Sequence, residues 1–299
     1  MRVLITGASG FIGSALVERL LGRGDEVTAF TRRPDDSRLR RDVRWLGWDP
    51  RSAGGWQQQL GGYDGIVHLA GETAVGRRYT PELRREILES RAGLTTRLVD
   101  GLRQTSERPR VLVSASGVSF YGKRDDATPL DESAPVGDEF LSEVCVAWEA
   151  AAAKVTELGT RAVSARIGFV LGRGGGALQT LVPIFKAFAG GPIGSGRQWV
   201  SWIHLADIVG GMLHALDDAE LSGPVNFAAP NAVTNAELSK TLAKVLGRPA
   251  LLPAPAFALR ALFGDGAEPL LSGQRVVPRA LLERGYVFRF TDLESALRD

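Results

Sequence analysis

The first residues of the chain, MRVLITGASGFIG, join a short apolar strand to a helix through a turn that contains three glycines. Val3, Leu4 and Ile5 form a continuous apolar run, which is typical of a strand buried on both faces of a parallel sheet. After the glycines, apolar residues recur at about every fourth position, which predicts a helix over 11–21. The chain therefore starts with the strand, turn and helix of a parallel α/β unit, and this restricts its fold class more than any other feature.

The alternation of strands with helices continues to about residue 170. Further strands are predicted over 26–30, 43–46, 65–69, 110–113 and 161–170, and long helices over 81–103 and 139–158. Strands that alternate with helices favour a parallel sheet with right-handed crossovers. We therefore predict the α/β class, with a Rossmann-type doubly wound parallel sheet and a smaller C-terminal α/β region that ends in a short strand near 286–290.

The glycines of the first turn have the spacing of a dinucleotide-binding fingerprint. Gly7 permits a tight turn, Gly10 lets the backbone approach a pyrophosphate, and Gly13 lets the helix pack close to the strand. The N-terminus of the helix also presents free N–H groups and a positive dipole end to phosphates. We therefore expect the phosphates of a dinucleotide at the turn and the first helical residues, Ser9, Gly10, Phe11 and Ile12.

The end of the second predicted strand indicates which dinucleotide binds. NAD sites usually place an acid there for the ribose 2′-hydroxyl, whereas this strand ends in Thr31, Arg32 and Arg33. A charge-assisted bond to a 2′-phosphate contributes about 1.5–3 kcal/mol, a preference of roughly 10- to 100-fold for NADPH over NADH. The alternative is a solvated basic turn. Asp49, after the third strand, is either an adenine contact or a solvated loop carboxylate.

Composition excludes several other classes of protein. The chain has 36 Lys and Arg against 34 Asp and Glu, a formal net charge of +2, so we expect no nucleic-acid partner. One cysteine, Cys145, excludes a disulfide framework and a cysteine-based zinc site, and three histidines leave little for a metal site. No apolar run reaches the ~18 residues of a membrane span, and no signal peptide is visible, so we expect a cytoplasmic protein without a membrane partner.

These features suggest an organisation into three parts. We predict an NADP-binding domain over 1–170, to which parts of 195–235 return, a substrate-side region over 171–247, and a small C-terminal domain over 248–299.

Several motifs resemble those of the extended branch of the short-chain dehydrogenase/reductase superfamily. They are the glycine turn, Phe120-Tyr121-Gly122 and the segment 202–207. Four further segments, 114–116, 140–149, 194–199 and 271–276, resemble the NADP-binding "epimerase family" subgroup, which has an uncharacterised C-terminal domain. The resemblance implies an NADP(H) cofactor on a Rossmann fold, a small-molecule substrate, and cofactor contacts that include Ser114. The two long helices resemble those of a four-helix dimer interface in relatives, which leaves a homodimer open.

The chain departs from the superfamily at its catalytic positions. The superfamily uses a Ser and a Tyr-x-x-x-Lys, in which the lysine lowers the pKa of the tyrosine that passes the proton. Ser116 matches the serine and Glu149 matches the acid that follows the lysine, which places Leu141 and Cys145 at the Tyr and Lys positions. Ser201 stands where sugar-nucleotide enzymes of this branch often have arginine, so a nucleotide sugar is a less favoured substrate.

Two hydroxyl groups are the candidates for the missing chemistry. Tyr121 is expected at the mouth of the pocket after the fifth strand, as a proton donor or as a packed anchor. Ser116 is expected to orient a carbonyl or to cap the end of its strand.

Polar residues near the fourth strand are further candidates. Leu69, Ala70 and Gly71 end this strand where the nicotinamide ribose should pass, and Glu72 follows as a site acid or a loop carboxylate. Arg91 lies on the otherwise apolar face of the predicted helix 81–103, and a buried arginine demands a partner. The partner is the cofactor, an acidic substrate, or an internal carboxylate such as that of Glu72 or Glu143.

Two functions remain open at this point. The first is an NADP(H)-dependent oxidoreductase or epimerase that acts on a small carbonyl or hydroxyl compound with a non-standard proton donor. The second is a non-catalytic NADPH-binding protein that acts through a partner.

Overall fold

The computed structural model describes residues 1–36, 39–124 and 126–299. Its strands are, in chain order, β1 (Arg2–Thr6), β2 (Glu26–Thr31), β3 (Arg44–Gly47), β4 (Gly65–His68), β5 (Val111–Gly117), β6 (Arg161–Ile167), β7 (Phe169–Leu171), β8 (Trp199–Val200), β9 (Trp202–His204), β10 (Gly223–Phe227) and β11 (Val233–Thr234). Seven of them form one sheet in the order β10-β6-β5-β4-β1-β2-β3, and every neighbouring pair is parallel. The predicted Rossmann-type doubly wound sheet is confirmed.

The α-helices are, in chain order, α1 (Phe11–Arg23), α2 (Pro81–Leu88), α3 (Leu94–Arg103), α4 (Phe140–Ala153), α5 (Leu178–Lys186), α6 (Leu205–Asp217), α7 (Asn235–Leu246), α8 (Ala256–Phe263), α9 (Glu268–Leu271), α10 (Arg279–Glu283) and α11 (Leu293–Arg298). Of these, α1, α6 and α10 pack on one face of the sheet, and α3 and α4 pack on the other. A π-helical turn, Glu89–Gly93, joins α2 to α3, so the predicted helix 81–103 is continuous but locally widened. Thr80 caps α2 by accepting a hydrogen bond from the backbone N–H of Leu83.

The alternation of side chains along β1 divides the core into two layers. Val3 and Ile5 pack on one face of the sheet, with apolar residues of α1 and α6. Leu4 points to the other face, where it packs with apolar residues of α3 and α4. Because successive side chains of a strand alternate in direction, a continuous apolar run is what a strand buried on both faces requires.

Two strand predictions need correction. The predicted strand 161–170 is divided into β6 and β7 at Gly168, and β7 leaves the main sheet to pair with β9. The strand expected near 286–290 is absent, because the backbone N–H groups of Arg289 and Phe290 donate to the carboxylate of Asp207, at 2.7 and 2.9 Å. This buried carboxylate takes the place of a neighbouring strand as the hydrogen-bond acceptor.

A buried polar row locks the carboxyl ends of β1 and β4 together. Thr6 and His68 are opposite each other in the sheet, and the Oγ1 of Thr6 lies 2.6 Å from the Nδ1 of His68. The Nε2 of His68 lies 3.1 Å from the Oγ1 of Thr95, which donates to the carbonyl oxygen of Arg91. Thr6 Oγ1 therefore donates to His68 Nδ1, and His68 Nε2 donates to Thr95. This arrangement needs a neutral imidazole, and burial lowers the pKa of His68 to about 4.

The buried imidazole makes stability depend on pH. Between the folded pKa of about 4 and the ordinary value of 6.5, the unfolded chain binds the proton and the folded chain does not. The free energy of unfolding should therefore fall as the pH decreases through this range, with a contribution from His68 of up to about 3 kcal/mol. We expect His68→Asn to be less stable at pH 7 but to show a shallower slope in urea denaturation between pH 6.5 and 4.5. Equal slopes in the two proteins would contradict this assignment.

Candidate functional site

The candidate site lies where the strand order of the sheet reverses. β1 has β2 on one side and β4 on the other, so the connections that follow β1 and β4 diverge at their carboxyl ends. Ligands of open α/β sheets bind in the crevice that such a reversal creates. The glycine turn after β1 and the segment Leu69–Gly71 after β4 border this crevice.

The glycine turn has the geometry that a diphosphate requires. Gly7 adopts φ +73°, and a Cβ on it would lie 2.9 Å from the carbonyl carbon of Leu69 in the neighbouring connection. A Cβ on Gly13 would overlap the carbonyl oxygen of Gly7, so α1 can approach the turn only with glycine at this position. The first turn of α1 carries no acidic residue, and no side chain caps its N-terminus at Gly10. The backbone N–H of Gly10 donates to the carbonyl oxygen of Gly7 at 3.0 Å, whereas those of Phe11 and Ile12 have no partner among the described residues. The N–H groups of Phe11 and Ile12 therefore fit the phosphate oxygens of the cofactor.

The end of β2 presents two exposed cations. Arg32 and Arg33 follow the strand and are exposed, and the backbone N–H of Arg33 donates to the Oγ1 of Thr31 at 3.2 Å. Asp49 lies past β3, and its carboxylate accepts from the backbone N–H and the Nε of Arg51, at 3.0 and 3.1 Å. These bonds hold the pKa of Asp49 below its usual value. The carboxylate of Asp49 thus caps its own loop, and no carboxylate of the residues that the structure describes forms an ion pair with Arg32 or Arg33.

Thr6 holds the segment after β4 in place. Its hydroxyl oxygen accepts from the backbone N–H groups of Leu69 and Ala70, both at 3.2 Å. Gly71 follows and is exposed, and the half-buried Glu72 pairs with Arg77 at 3.3 Å. The segment is therefore fixed in space, and the carboxylate of Glu72 is directed to a loop arginine.

Ser114 continues the polar row of the sheet. It lies on β5 opposite His68 on β4 and is 1% exposed. Its hydroxyl makes a 3.4 Å bond to the carbonyl oxygen of Ala115. A cofactor contact by the Ser114 side chain stays a prediction.

Arg91 lies in the π-helical turn and has no carboxylate partner in the described part of the chain. Its Nη2 donates to the carbonyl oxygen of Glu72 at 2.7 Å, and its guanidinium lies 5.3 Å from the ring centroid of Trp148. Burial lowers the pKa of this guanidinium. Neither the Glu72 nor the Glu143 carboxylate pairs with it, so the internal salt bridge considered as an alternative is not formed. π-Helical turns inside α-helices occur frequently at functional sites.

Ser116 and Tyr121 belong to one buried network centred on Arg166. Ser116 Oγ donates to the Oε1 of Glu149 at 2.7 Å, and Arg166 binds both carboxylate oxygens of Glu149, at 2.9 and 2.8 Å. Arg166 also donates to the hydroxyl of Tyr121 at 2.9 Å, and that hydroxyl donates to the Oδ1 of Asn226 at 2.7 Å. The network connects β5, β6, α4 and β10. The sequence reasoning missed Arg166, because an arginine within a strand gives no local sign of its partners.

The hydrogen bonds of this network determine whether the hydroxyl groups of Tyr121 and Ser116 can bind another molecule. Tyr121 is 0% exposed, its proton is used by Asn226, and burial raises the pKa of its phenol although Arg166 acts in the opposite direction. This geometry favours the anchoring role left open above. Ser116, at the carboxyl end of β5, donates to Glu149 and keeps its lone pairs for a second hydrogen bond.

The positions of the missing tyrosine and lysine have become apolar. Leu141 packs in an apolar cluster with Ile87 and Val144. The Sγ of Cys145 lies 3.6 Å from the carbonyl oxygen of Gly117, and burial raises the pKa of its thiol to about 11. Cys145 is therefore a neutral packed side chain, with neither the charge nor the acidity of the residue it replaces.

Two buried donors of this region have no partner within the described residues. They are the hydroxyl of Tyr79 and the indole N–H of Trp148. The ring of Tyr79 packs on that of Phe140 with centroids 5.4 Å apart, and it shares an apolar cluster with Leu141. Sequence reasoning missed both, because Trp148 on α4 is at a spacing that indicates a core position and Tyr79 lies in the loop before α2, where no motif marks it. Tyr79 precedes α2 and Trp148 lies on α4, and the unpaired donors of both side chains are available to an acceptor.

No group of three or more His, Cys, Asp or Glu side chains in the ranges 1–36, 39–124 and 126–299 is placed to hold a metal ion. Over the same residues, no helix has both the length and the apolarity needed to cross a bilayer.

The network around Arg166 leads to a test of its structural role. Arg166 and Glu149 have side chains 4% and 14% exposed. Glu149→Gln removes the carboxylate and leaves a buried unpaired guanidinium, so we expect a loss of about 3–5 kcal/mol in the free energy of unfolding. The exposed Glu143 on the same helix is the matched control, and Glu143→Gln should change stability by less than about 0.5 kcal/mol. Similar losses for the two variants in urea denaturation would show that the network does not support the fold.

Curated proteins similar to this chain span nearly its full length. The mouse epimerase family protein SDR39U1 is 40% identical over 303 residues, which cover 100% of this chain and 99% of that protein. The SDR39U1 homologue of Arabidopsis thaliana, named as chloroplastic, is 40% identical and covers 100% of this chain and 86% of its own length. The epimerase family protein YfhF of Bacillus subtilis is 34% identical, with 99% and 97% coverage.

Solved structures agree with this relationship. The crystal structure of human epimerase family protein SDR39U1 (isoform 2) with NADPH superimposes with a TM-score of 0.89 at 38% identity, covering 100% of this chain and 98% of that chain. The UDP-glucuronic acid 4-epimerase of Bacillus cereus, solved with UDP-glucuronic acid and NAD, has a TM-score of 0.80 at 17% identity, with coverage of 99% and 96%, and shows the fold alone.

Family profiles cover both parts of the chain. The NAD dependent epimerase/dehydratase family matches residues 3–228, and a domain of unknown function, DUF1731, matches residues 254–299. The first match includes the glycine turn and all of the seven-stranded sheet except Arg2, the first residue of β1. This chain belongs to the NAD dependent epimerase/dehydratase family.

Proposed function

We propose that this protein binds NADP(H) and acts as an oxidoreductase or epimerase on a small carbonyl or hydroxyl compound. The observation that carries the proposal is the pairing of the open glycine turn with two exposed arginines at the end of β2. A relative that is 38% identical over the full chain was solved with NADPH, which supports the choice of cofactor.

Each part of the cofactor has residues that suit it. The backbone N–H groups of Ser9, Phe11 and Ile12 receive the pyrophosphate, and Arg32 and Arg33 pair with the 2′-phosphate. The fixed segment Leu69–Gly71 borders the nicotinamide ribose. Arg91, which no carboxylate of the described residues pairs with, provides positive charge behind this segment. When bound, the nicotinamide supplies or accepts a hydride.

Ser116 is the group proposed to hold the reacting oxygen of the substrate. Its proton is used by Glu149, so what it offers is a lone pair that accepts from a substrate hydroxyl. Tyr121 positions Arg166, which in turn fixes Glu149 and Ser116. The hydroxyl form of the substrate is therefore the one that this site recognises best.

A non-catalytic role is the second candidate, and Leu141 and Cys145 favour it. Without the phenol and the ammonium at these positions, the chain binds cofactor but lacks the usual proton donor. In that case the holo form would be recognised by a partner protein.

Turnover distinguishes the two candidates. The protein is incubated with (4S)- and (4R)-deuterated NADPH and a panel of aldehydes and ketones, and deuterium in the product alcohol is measured by mass spectrometry. Transfer of deuterium from just one face of the nicotinamide supports the enzymatic function. If deuterium is transferred from neither face and a partner protein is recovered only in the presence of cofactor, the non-catalytic role is supported. Gain of turnover in Leu141→Tyr with Cys145→Lys would add that the pocket still accepts a carbonyl substrate.

The two arginines after β2 are expected to set the cofactor preference. Arg32→Gln with Arg33→Gln should weaken NADPH binding by roughly 10- to 100-fold and leave NADH binding unchanged, because only NADPH has a 2′-phosphate. Calorimetric titration of both dinucleotides measures the ratio, with NADH as the internal control. An equal effect on the two cofactors would assign the arginines to a solvated turn.

The remaining expectations follow from the same site. We propose a small-molecule substrate, no nucleic-acid partner at a net charge of +2, and a cytoplasmic location, with a homodimer still open.

A further inference from the structure

A cleft of about 560 Å³ opens beside the N-terminus of α1. One wall is the glycine turn and the start of α1, with Ser9, Gly10 and Phe11. The opposite wall is the loop 172–176 that follows β7, with Arg173 and Gly175. The cleft therefore begins at the phosphate-binding turn and is closed on its far side by a different part of the chain.

The loop 172–176 packs directly on the ring of Phe11. A Cβ on Gly175 would overlap that ring, and one on Gly176 would lie 2.8 Å from its Cε1. Glycine is therefore required for the loop to approach α1 this closely. The loop stands over the first turn of α1 instead of turning away from it.

Arg173 is a cation without a carboxylate partner in the described residues. Its Nη2 makes one hydrogen bond, to the carbonyl oxygen of Arg298 at 3.2 Å, and the residue is exposed. The other arginine of the cleft, Arg40, is paired with Asp42 at 2.7 Å. The acid of the cleft, Glu18, lies two turns along α1 from Phe11. The positive end of α1 and the charge of Arg173 thus face the same space, with no acid in the first turn of α1.

We propose that Arg173 and the loop 172–176 form the second wall of the pyrophosphate site. This inference rests on the proposed function, because it assumes that a dinucleotide binds at the glycine turn. A diphosphate carries two negative charges, whereas a helix N-terminus offers about half a positive charge. Arg173 supplies the missing charge from the opposite side, and the loop shields the diphosphate from water.

The arginines around the cofactor would recognise two different groups of it. Arg32 and Arg33 contact a group that only NADPH possesses. Arg173 contacts the diphosphate, which NADPH and NADH share. Loss of the Arg173 side chain should therefore weaken the binding of NADPH and of NADH by the same factor and leave the preference for one cofactor over the other unchanged.

Affinity measurements on Arg173→Gln test this directly. We expect the dissociation constants of NADPH and of NADH to rise together, by roughly three- to tenfold for an exposed cation on a phosphate. The affinity for 2′-AMP, which has a 2′-phosphate and no diphosphate, should not change. Arg173→Lys keeps the charge and should restore most of the loss.

Arg19→Gln is the matched control, because Arg19 is an exposed arginine of α1 that does not line the cleft. It should leave all three affinities unchanged. Unchanged dinucleotide affinities in Arg173→Gln would overturn the proposal, and so would a loss confined to NADPH, which would place Arg173 at the 2′-phosphate. If the unmodified protein binds neither dinucleotide, the proposed function fails and this inference fails with it.

Discussion

The hydrogen-bonded row from Thr6 through His68 to Thr95 is the interaction on which the site depends. It ties the carboxyl ends of β1 and β4 to the helix that carries Arg91, through one buried neutral imidazole. The same Thr6 oxygen holds the backbone of Leu69 and Ala70. A crevice at a strand-order reversal is a property of the fold, and these buried hydrogen bonds join its two walls in addition to the sheet pairing of β1 with β4.

A second network of hydrogen bonds surrounds Ser116. Helix α4 has the apolar Leu141 and the neutral Cys145 at the positions of the tyrosine and lysine, so it carries neither a phenol nor an ammonium group there. The charged groups beside Ser116 are those of the ion pair between Arg166 and Glu149, and Glu149 accepts the hydrogen bond of Ser116 at the end of β5. In the described residues, burial raises the pKa of the Cys145 thiol and of the Tyr121 phenol, so neither side chain resembles the tyrosine whose pKa a neighbouring lysine lowers.

The sequence predicted the parts of the structure that rest on local patterns. The apolar run at Val3–Ile5, the glycine spacing and the alternation of elements all follow short-range rules, and they correctly predicted the parallel sheet and the tight glycine turn after β1. The strand expected near 286–290 was wrong because its hydrogen-bond acceptor, Asp207, lies far away in the sequence. The Arg166 network and the loop 172–176 on Phe11 were missed for the same reason, since both join distant segments.

The most direct test of the proposed cofactor site is a crystal structure of the protein grown with NADP⁺. At this site we expect the pyrophosphate against the backbone N–H groups of Ser9, Phe11 and Ile12, the 2′-phosphate between Arg32 and Arg33, and the nicotinamide ribose beside Leu69–Gly71. A cofactor bound elsewhere, or no cofactor at the glycine turn in crystals saturated with NADP⁺, would contradict it.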